Sequence, residues 1–270
     1  MQVYYPIAQL PVYLRPLTEE ENAKIERFAP EVAKGRDHFR LLRIFAANYN
    51  ELVNTISGSL KVGEMEDAEK IEFDRVLLNL LSSGRAITDH FTKFFASKYG
   101  ETDRRDELTT YLGRLRKGSW AFAFIEDVRN YIQHEGLPIA DYNRGFSGTS
   151  VELKMTVDAV KLAKEKKDPR AWWYSKLDAS RGTIDFFAMV QEYYLRMTRD
   201  LASFLVKVFV PDFVAAHEFF ASLANEVRKT VPHGKMIVLT EFESADHKHK
   251  FSFVPYPEDV FRELGLSVQH

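Results

Sequence analysis

The 270 residues contain no cysteine. Disulfides, thiolate zinc sites, iron–sulfur clusters and cysteine nucleophiles are therefore excluded together. No apolar run approaches the ~18 residues a bilayer-spanning helix needs. The N-terminus lacks a basic stretch followed by an apolar core, so no secretory leader is expected and a cytoplasmic location is. Glycine-rich phosphate loops, the dinucleotide fingerprint and the His-Glu-x-x-His zinc motif are missing, and the serines, Ser119 among them, lack a nucleophile-elbow context. No cofactor, metal or membrane is expected. A dominant charge is lacking too: 37 Lys and Arg face 39 Asp and Glu. That balance argues against a general nucleic-acid coat protein but leaves room for a local basic cleft.

What is present is an ordinary globular composition with 45% hydrophobic residues, enough to bury a sizeable core. The apolar spacing is mostly helical. Residues 1–36 read as an arm with three prolines followed by a short helix through about Phe28, opened by a capping box at Thr18 and Glu21. Residues 37–230 read as a helical bundle. Leu41, Phe45, Tyr49, Leu52 and Ile56 form one stripe, and Phe73, Leu77, Leu80, Gly84, Ile87, Phe91 and Phe94 form a second of alternating 4 and 3 spacing. Gly84, inside that stripe, costs about 1 kcal/mol of helix propensity relative to Ala, which points to the close passage of another backbone. A turn-rich loop is expected at Asp141–Gly148 and a strand through Val151, Leu153, Met155 and Val157. Trp172, Trp173 and Tyr174 read as a core or lid cluster, with a base-stacking shelf as the sharper alternative. Thr183 is expected to cap a fourth long helix carrying Phe187, Val190, Tyr194, Met197, Leu201, Phe204 and Val208, broken at Pro211. Phe213, His217, Phe220, Ala224 and Val227 mark the inner face of the helix after it, His217 as a core or boundary residue. Residues 231–270 read as a small α+β appendage, a hairpin and a short helix. His247 and His249 there are two histidines without a matching carboxylate, which is little for a metal.

One stretch stands out chemically, residues 124–138: Ala121, Ile125, Val128 and Ile132 form an apolar helical stripe that runs into it, and Gly136 and Pro138 supply a stop. Asn130 and His134 stand one turn apart beside that stripe, and Arg129, about 140° round the helix from His134, has a stem long enough to fold toward the same cleft. Tyr131 lies between them. Off the stripe of the Phe73–Phe94 helix, Arg85 and Asp89 form an i,i+4 pair with His90 beside them. These three read as a surface ion pair and its neighbour, or as a second polar wall facing Arg129 and His134. Arg114 and Arg116 belong to a basic run that is either a solvated face or a path for a phosphate backbone.

The Arg129-Asn130-x-x-x-His134 pattern resembles the Arg-x(4–6)-His motif of HEPN domains. The resemblance implies a mainly α, antiparallel helical bundle and a metal-independent endoribonuclease that forms homodimers through facing motif helices. It covers roughly residues 37–210 and does not reach the C-terminal forty. The chemistry is coherent with RNA as substrate. The ribose supplies its own 2′-OH nucleophile, an imidazole moves a proton, and a guanidinium grips two oxygens of the phosphorane-like transition state. Such a protein goes with a toxin or phage-defence setting and an antitoxin or regulatory partner, which the sequence does not choose. The alternatives are a non-catalytic helical scaffold, with Arg129 bonding a helix end and His134 capping carbonyls, and a nucleotide- or RNA-binding module.

Overall fold

A computed structural model describes residues 2–4, 12–13, 15–57, 63–100, 102–135, 139–147, 150–158, 183–230, 235–243, 249–255 and 257–266. The strands, and positions 130, 131, 133–135 and 230, are described by their backbone alone. The protein is mainly α. The helices are α1 (Glu19–Ser57), α2 (Asp67–Tyr99), α3 (Arg104–Gly118), α4 (Trp120–Glu135), α5 (Phe186–Leu195), a π-helical segment (Arg196–Leu201), α6 (Ala202–Thr230) and α7 (Glu258–Glu263). The strands form two small antiparallel sheets. One has the order β2 (Val12–Tyr13), β1 (Gln2–Tyr4), β7 (Lys235–Glu243), β8 (His249–Pro255). The other runs β3 (Gly63–Glu64), β4 (Ile139–Ser147), β5 (Ser150–Asp158), β6 (Thr183–Asp185). The chain divides into two compact units, residues 1–40 with 204–270, and residues 41–203.

In the first unit α1 begins at the expected box. The Thr18 N–H donates to the Glu21 carboxylate at 2.8 Å, and the Glu21 N–H donates to Thr18 Oγ1 at 3.2 Å. The helix does not stop near Phe28. It continues through Pro30, which is exposed, because Ile25, Phe28, Val32 and Phe39 are buried on both sides of the proline and hold the two halves on one apolar stripe. Pro211 behaves alike. It is exposed within α6, between buried Phe209 and Phe213, so the expected break at Pro211 is not there. A proline's missing donor and ring clash are tolerated best on the solvent side, where water and a bend absorb them. The core of this unit joins His38 stacked on Phe209 (5.5 Å), Phe28 against Phe219 (5.8 Å) and Phe220 against Phe261 (6.4 Å). Gly35 lies under Phe213, whose Cζ would be 2.8 Å from an added Cβ. His217 meets Phe261 edge-on at 5.0 Å, at the boundary position expected of it.

In the second unit most of the two stripes read from the sequence is core, while Leu41, Tyr49 and Phe94 are only half-buried and Phe95 is buried in place of Phe94. Phe45, Leu52 and Ile56 of α1 and Phe73, Leu77, Leu80, Gly84, Ile87 and Phe91 of α2 are buried. Asn48 Nδ2 donates to Ser83 Oγ at 3.0 Å and Arg75 reaches Glu51 at 2.8 Å, so α1 and α2 run antiparallel. The close approach expected at Gly84 is made by a side chain rather than a backbone: the Tyr193 hydroxyl would be 2.5 Å from a Cβ there. Thr183 does not cap a helix. It opens β6, paired with β5, and α5 starts at Phe186. Residues 139–147, expected as a loop over much of their length, form β4, paired with β5. The turn-prone residues there are overridden by a partner strand that a local reading does not contain.

Candidate functional site

The motif helix α4 is set up by Ser119. The Ser119 Oγ accepts the Phe122 N–H at 3.1 Å, an N-cap bond, while its own hydroxyl donates to Glu192 at 2.6 Å. Beyond the cap, Ala121, Phe122, Ala123, Phe124, Ile125 and Val128 are buried, which anchors α4 along most of its length. Phe122 packs on Tyr193 (5.3 Å) and Phe124 meets Phe186 edge-on at 6.2 Å, fixing α4 against α5.

Against this frame Arg129 is buried, with 5% of its surface exposed. Its Nη1 lies 3.6 Å from Glu126 Oε2, one turn earlier on α4. The other oxygen of Glu126 accepts a hydrogen bond from the Tyr193 hydroxyl at 2.9 Å. Burial pushes the Tyr193 phenol well above its ordinary range, and the negative charge of Glu126 adds to that, while Arg129 and Arg85 act in the opposite direction.

The remaining expected residues fall as follows. Arg85 pairs with Asp89 at 2.6 Å on a half-exposed face of α2, and His90 meets Phe91 edge-on at 5.4 Å. Arg85 is thus in the surface ion pair that its i,i+4 spacing suggested. Arg114 is exposed. Arg116 spans from α3 to α4, its Nη2 donating to both oxygens of Asp127 at 2.7 Å, so this guanidinium is committed to holding the motif helix. Asn130, Tyr131 and His134 continue α4, and their side chains lie outside the described residues. Gly136, Pro138, Trp172, Trp173, Tyr174 and His247 lie outside them as well, as does the side chain of His249. Among the described residues no group of three or more His, Asp and Glu could hold a metal ion, and no helix is long and apolar enough to cross a membrane.

Sequence reasoning missed Glu126, Asp127, Glu192 and Tyr193. Glu126 carried a usable signal, standing three residues before Arg129 on the same helix. Tyr193 carried another, since a glycine on a buried stripe asks what large group fills its place. Comparison with known proteins finds no matching family model, no matching curated protein and no matching solved structure.

Proposed function

We propose that the end of α4 is the RNA-cleaving site of a HEPN-like, metal-independent endoribonuclease. In this reading residues 37–230 form the antiparallel bundle and residues 231–270 a small α+β appendage. His134 moves a proton, Arg129 holds the phosphate, and Asn130 orients His134 or bonds the phosphate. The observation that supports the reading is that α4 runs through both motif positions, with the Arg129 guanidinium buried at its end beside Glu126 at 3.6 Å, a held cation of the kind a phosphodiester calls for. The step balances without a further reactant. The 2′-oxygen bonds to phosphorus, the bond from phosphorus to the 5′-oxygen breaks, and the proton lost by the 2′-OH is matched by one gained at the 5′-oxygen. The products are a 2′,3′-cyclic phosphate and a 5′-hydroxyl.

RNA is the partner, with a second copy of the chain as the resemblance implies, in the cytoplasm and in a toxin or defence setting with an antitoxin or regulatory protein. Gly84 offers no seat for that second copy, because Tyr193 of the same chain fills its place. The test is incubation of the purified protein with mixed RNA in EDTA. Cyclic phosphate ends should appear, DNA should stay intact, and His134→Ala should lower the rate by ~10²–10⁴-fold. Equal cutting by His134→Ala, or of DNA, would end the mechanism.

A second reading has its own observation. Arg129 is buried and faces Glu126, as expected of a guanidinium that ties helices together in a scaffold. Wild-type protein that cuts no RNA, with Arg129→Ala strongly destabilised, would favour it.

A further inference from the structure

We propose that Tyr193 and Glu126 are positioning residues for Arg129, and that Gly84 is the clearance that admits them. The inference deepens the RNA-cleaving reading and rests on it for the catalytic consequence.

The chain of contacts runs across three helices. Glu126 and Arg129 are three residues apart on α4, and the nearest approach of their charged atoms is 3.6 Å. A glutamate in that relation has several rotamers, and each would leave the guanidinium in a different place. One carboxylate oxygen is fixed by the Tyr193 hydroxyl at 2.9 Å, which leaves the other directed at Arg129. Tyr193 is itself immobilised. Its surface is 1% exposed, Phe45 meets it edge-on at 6.0 Å, and Phe122 packs on it at 5.3 Å. Its hydroxyl reaches Glu126 only because residue 84 has no side chain. A Cβ there would lie 2.5 Å from the hydroxyl oxygen and 3.1 Å from the nearest ring carbon.

Stability alone gives this arrangement little reason to exist. A buried carboxylate–guanidinium pair with a buried phenol is often matched or exceeded by apolar residues of the same volume, because desolvating the charges offsets their attraction. The helix would also gain from alanine at 84. What the cluster does supply is one orientation for the arginine that the motif singles out. Orientation matters at a phosphoryl centre, where a displacement of about 1 Å can cost roughly a hundredfold in rate.

The experiment compares wild type with Tyr193→Phe, which removes the hydroxyl and keeps the ring. RNA cleavage and the Nε–Hε signal of Arg129 by ¹⁵N NMR are read side by side. The expected result is a kcat lower by roughly ten- to a hundredfold, with KM within about twofold, and a loss of order at the Arg129 signal. Glu126→Gln retains an acceptor for the Tyr193 hydroxyl and keeps more of the Arg129 order than Glu126→Ala. It also serves as the informative variant if Tyr193→Phe folds poorly. An Arg129 signal indifferent to both Tyr193→Phe and Glu126→Gln overturns the positioning role, whatever the activity. Wild-type protein that cuts no RNA while its Arg129 order still depends on Tyr193 overturns the catalytic reading instead. A kcat unchanged in Tyr193→Phe despite a disordered Arg129 overturns the link between the two.

Discussion

At Gly84 two effects of opposite sign meet. Alanine would raise helix propensity by about 1 kcal/mol, yet its methyl would fall within 2.5 Å of the Tyr193 hydroxyl. Overpacking of a well-filled core costs typically 1–3 kcal/mol, so the steric term wins. Gly84→Ala should destabilise by about 1 kcal/mol net in urea unfolding. Combined with Tyr193→Phe, which removes the closest atom, it should cost less than the sum of the two single changes, a coupling that a double-mutant cycle reads directly. A basic residue beside a motif invites a phosphate role, but the two bonds of Arg116 to Asp127 give it a structural one. Arg116→Ala should therefore lower stability, by about 1 kcal/mol or more, since Asp127 is nearly buried and would lose a charged partner.

At the scale of elements, the π-helical segment Arg196–Leu201 separates α5 from α6. Its wider turn disturbs the usual i→i−4 ladder, and side-chain hydroxyls reach the carbonyls there. Tyr111 donates to the Asp200 carbonyl at 2.7 Å and Thr198 Oγ1 donates to the Tyr194 carbonyl at 2.8 Å. Tyr111→Phe should thus cost about 1 kcal/mol by urea unfolding, the worth of one ordinary, partly buried hydrogen bond. The caps make a matched pair. Thr18→Ala and Ser119→Ala each remove an oxygen that accepts an N-terminal N–H of a helix, and each should cost about 1 kcal/mol. Ser119→Ala should cost more, since Ser119 is buried and also donates to Glu192.

Over the whole molecule, the ionisable groups set a stability window. Arg15 bonds both Glu21 and Glu226, and holds the Glu21 carboxyl down to about 2 and that of Glu226 below the usual range. Arg36 does the same for Asp259, and Arg75 for Glu72. At Asp200 burial favours the neutral acid, but Arg196 and Arg199 outweigh it and the net shift is downward. A carboxyl with a depressed folded value contributes stability above its unfolded value, 4.5 for Glu and 3.8 for Asp, and that stability disappears as pH falls through the folded value. Burial raises the phenols of Tyr49, Tyr111 and Tyr193, so their contribution is present below pH ~10 and is lost as pH rises through their folded values. These carboxyls should lower the unfolding free energy as pH falls below about 4.5, and these phenols should lower it as pH rises above about 10. Arg15→Leu should flatten the acid limb between about pH 4.5 and 2, and circular dichroism in urea across that range checks it.

The sequence by itself determined the helical stripes at Phe45–Ile56 and Phe73–Phe91, the Thr18 cap and the apolar length of α4, because each depends on residues within a few turns of one another. It also placed Arg129 and His134 on adjacent turns of one helix. Tertiary structure alone decided that α1 passes Pro30 and α6 passes Pro211, since the roughly 3 kcal/mol cost of an interior proline is outweighed by apolar side chains buried on either side of it. It decided that β4 is a strand, through its pairing with β5. It also decided which side chains surround Arg129. Glu126, Tyr193 and the gap at Gly84 come together from positions up to 109 residues apart (193 − 84). Contacts at that range depend on how the helices pack, which local periodicity does not encode.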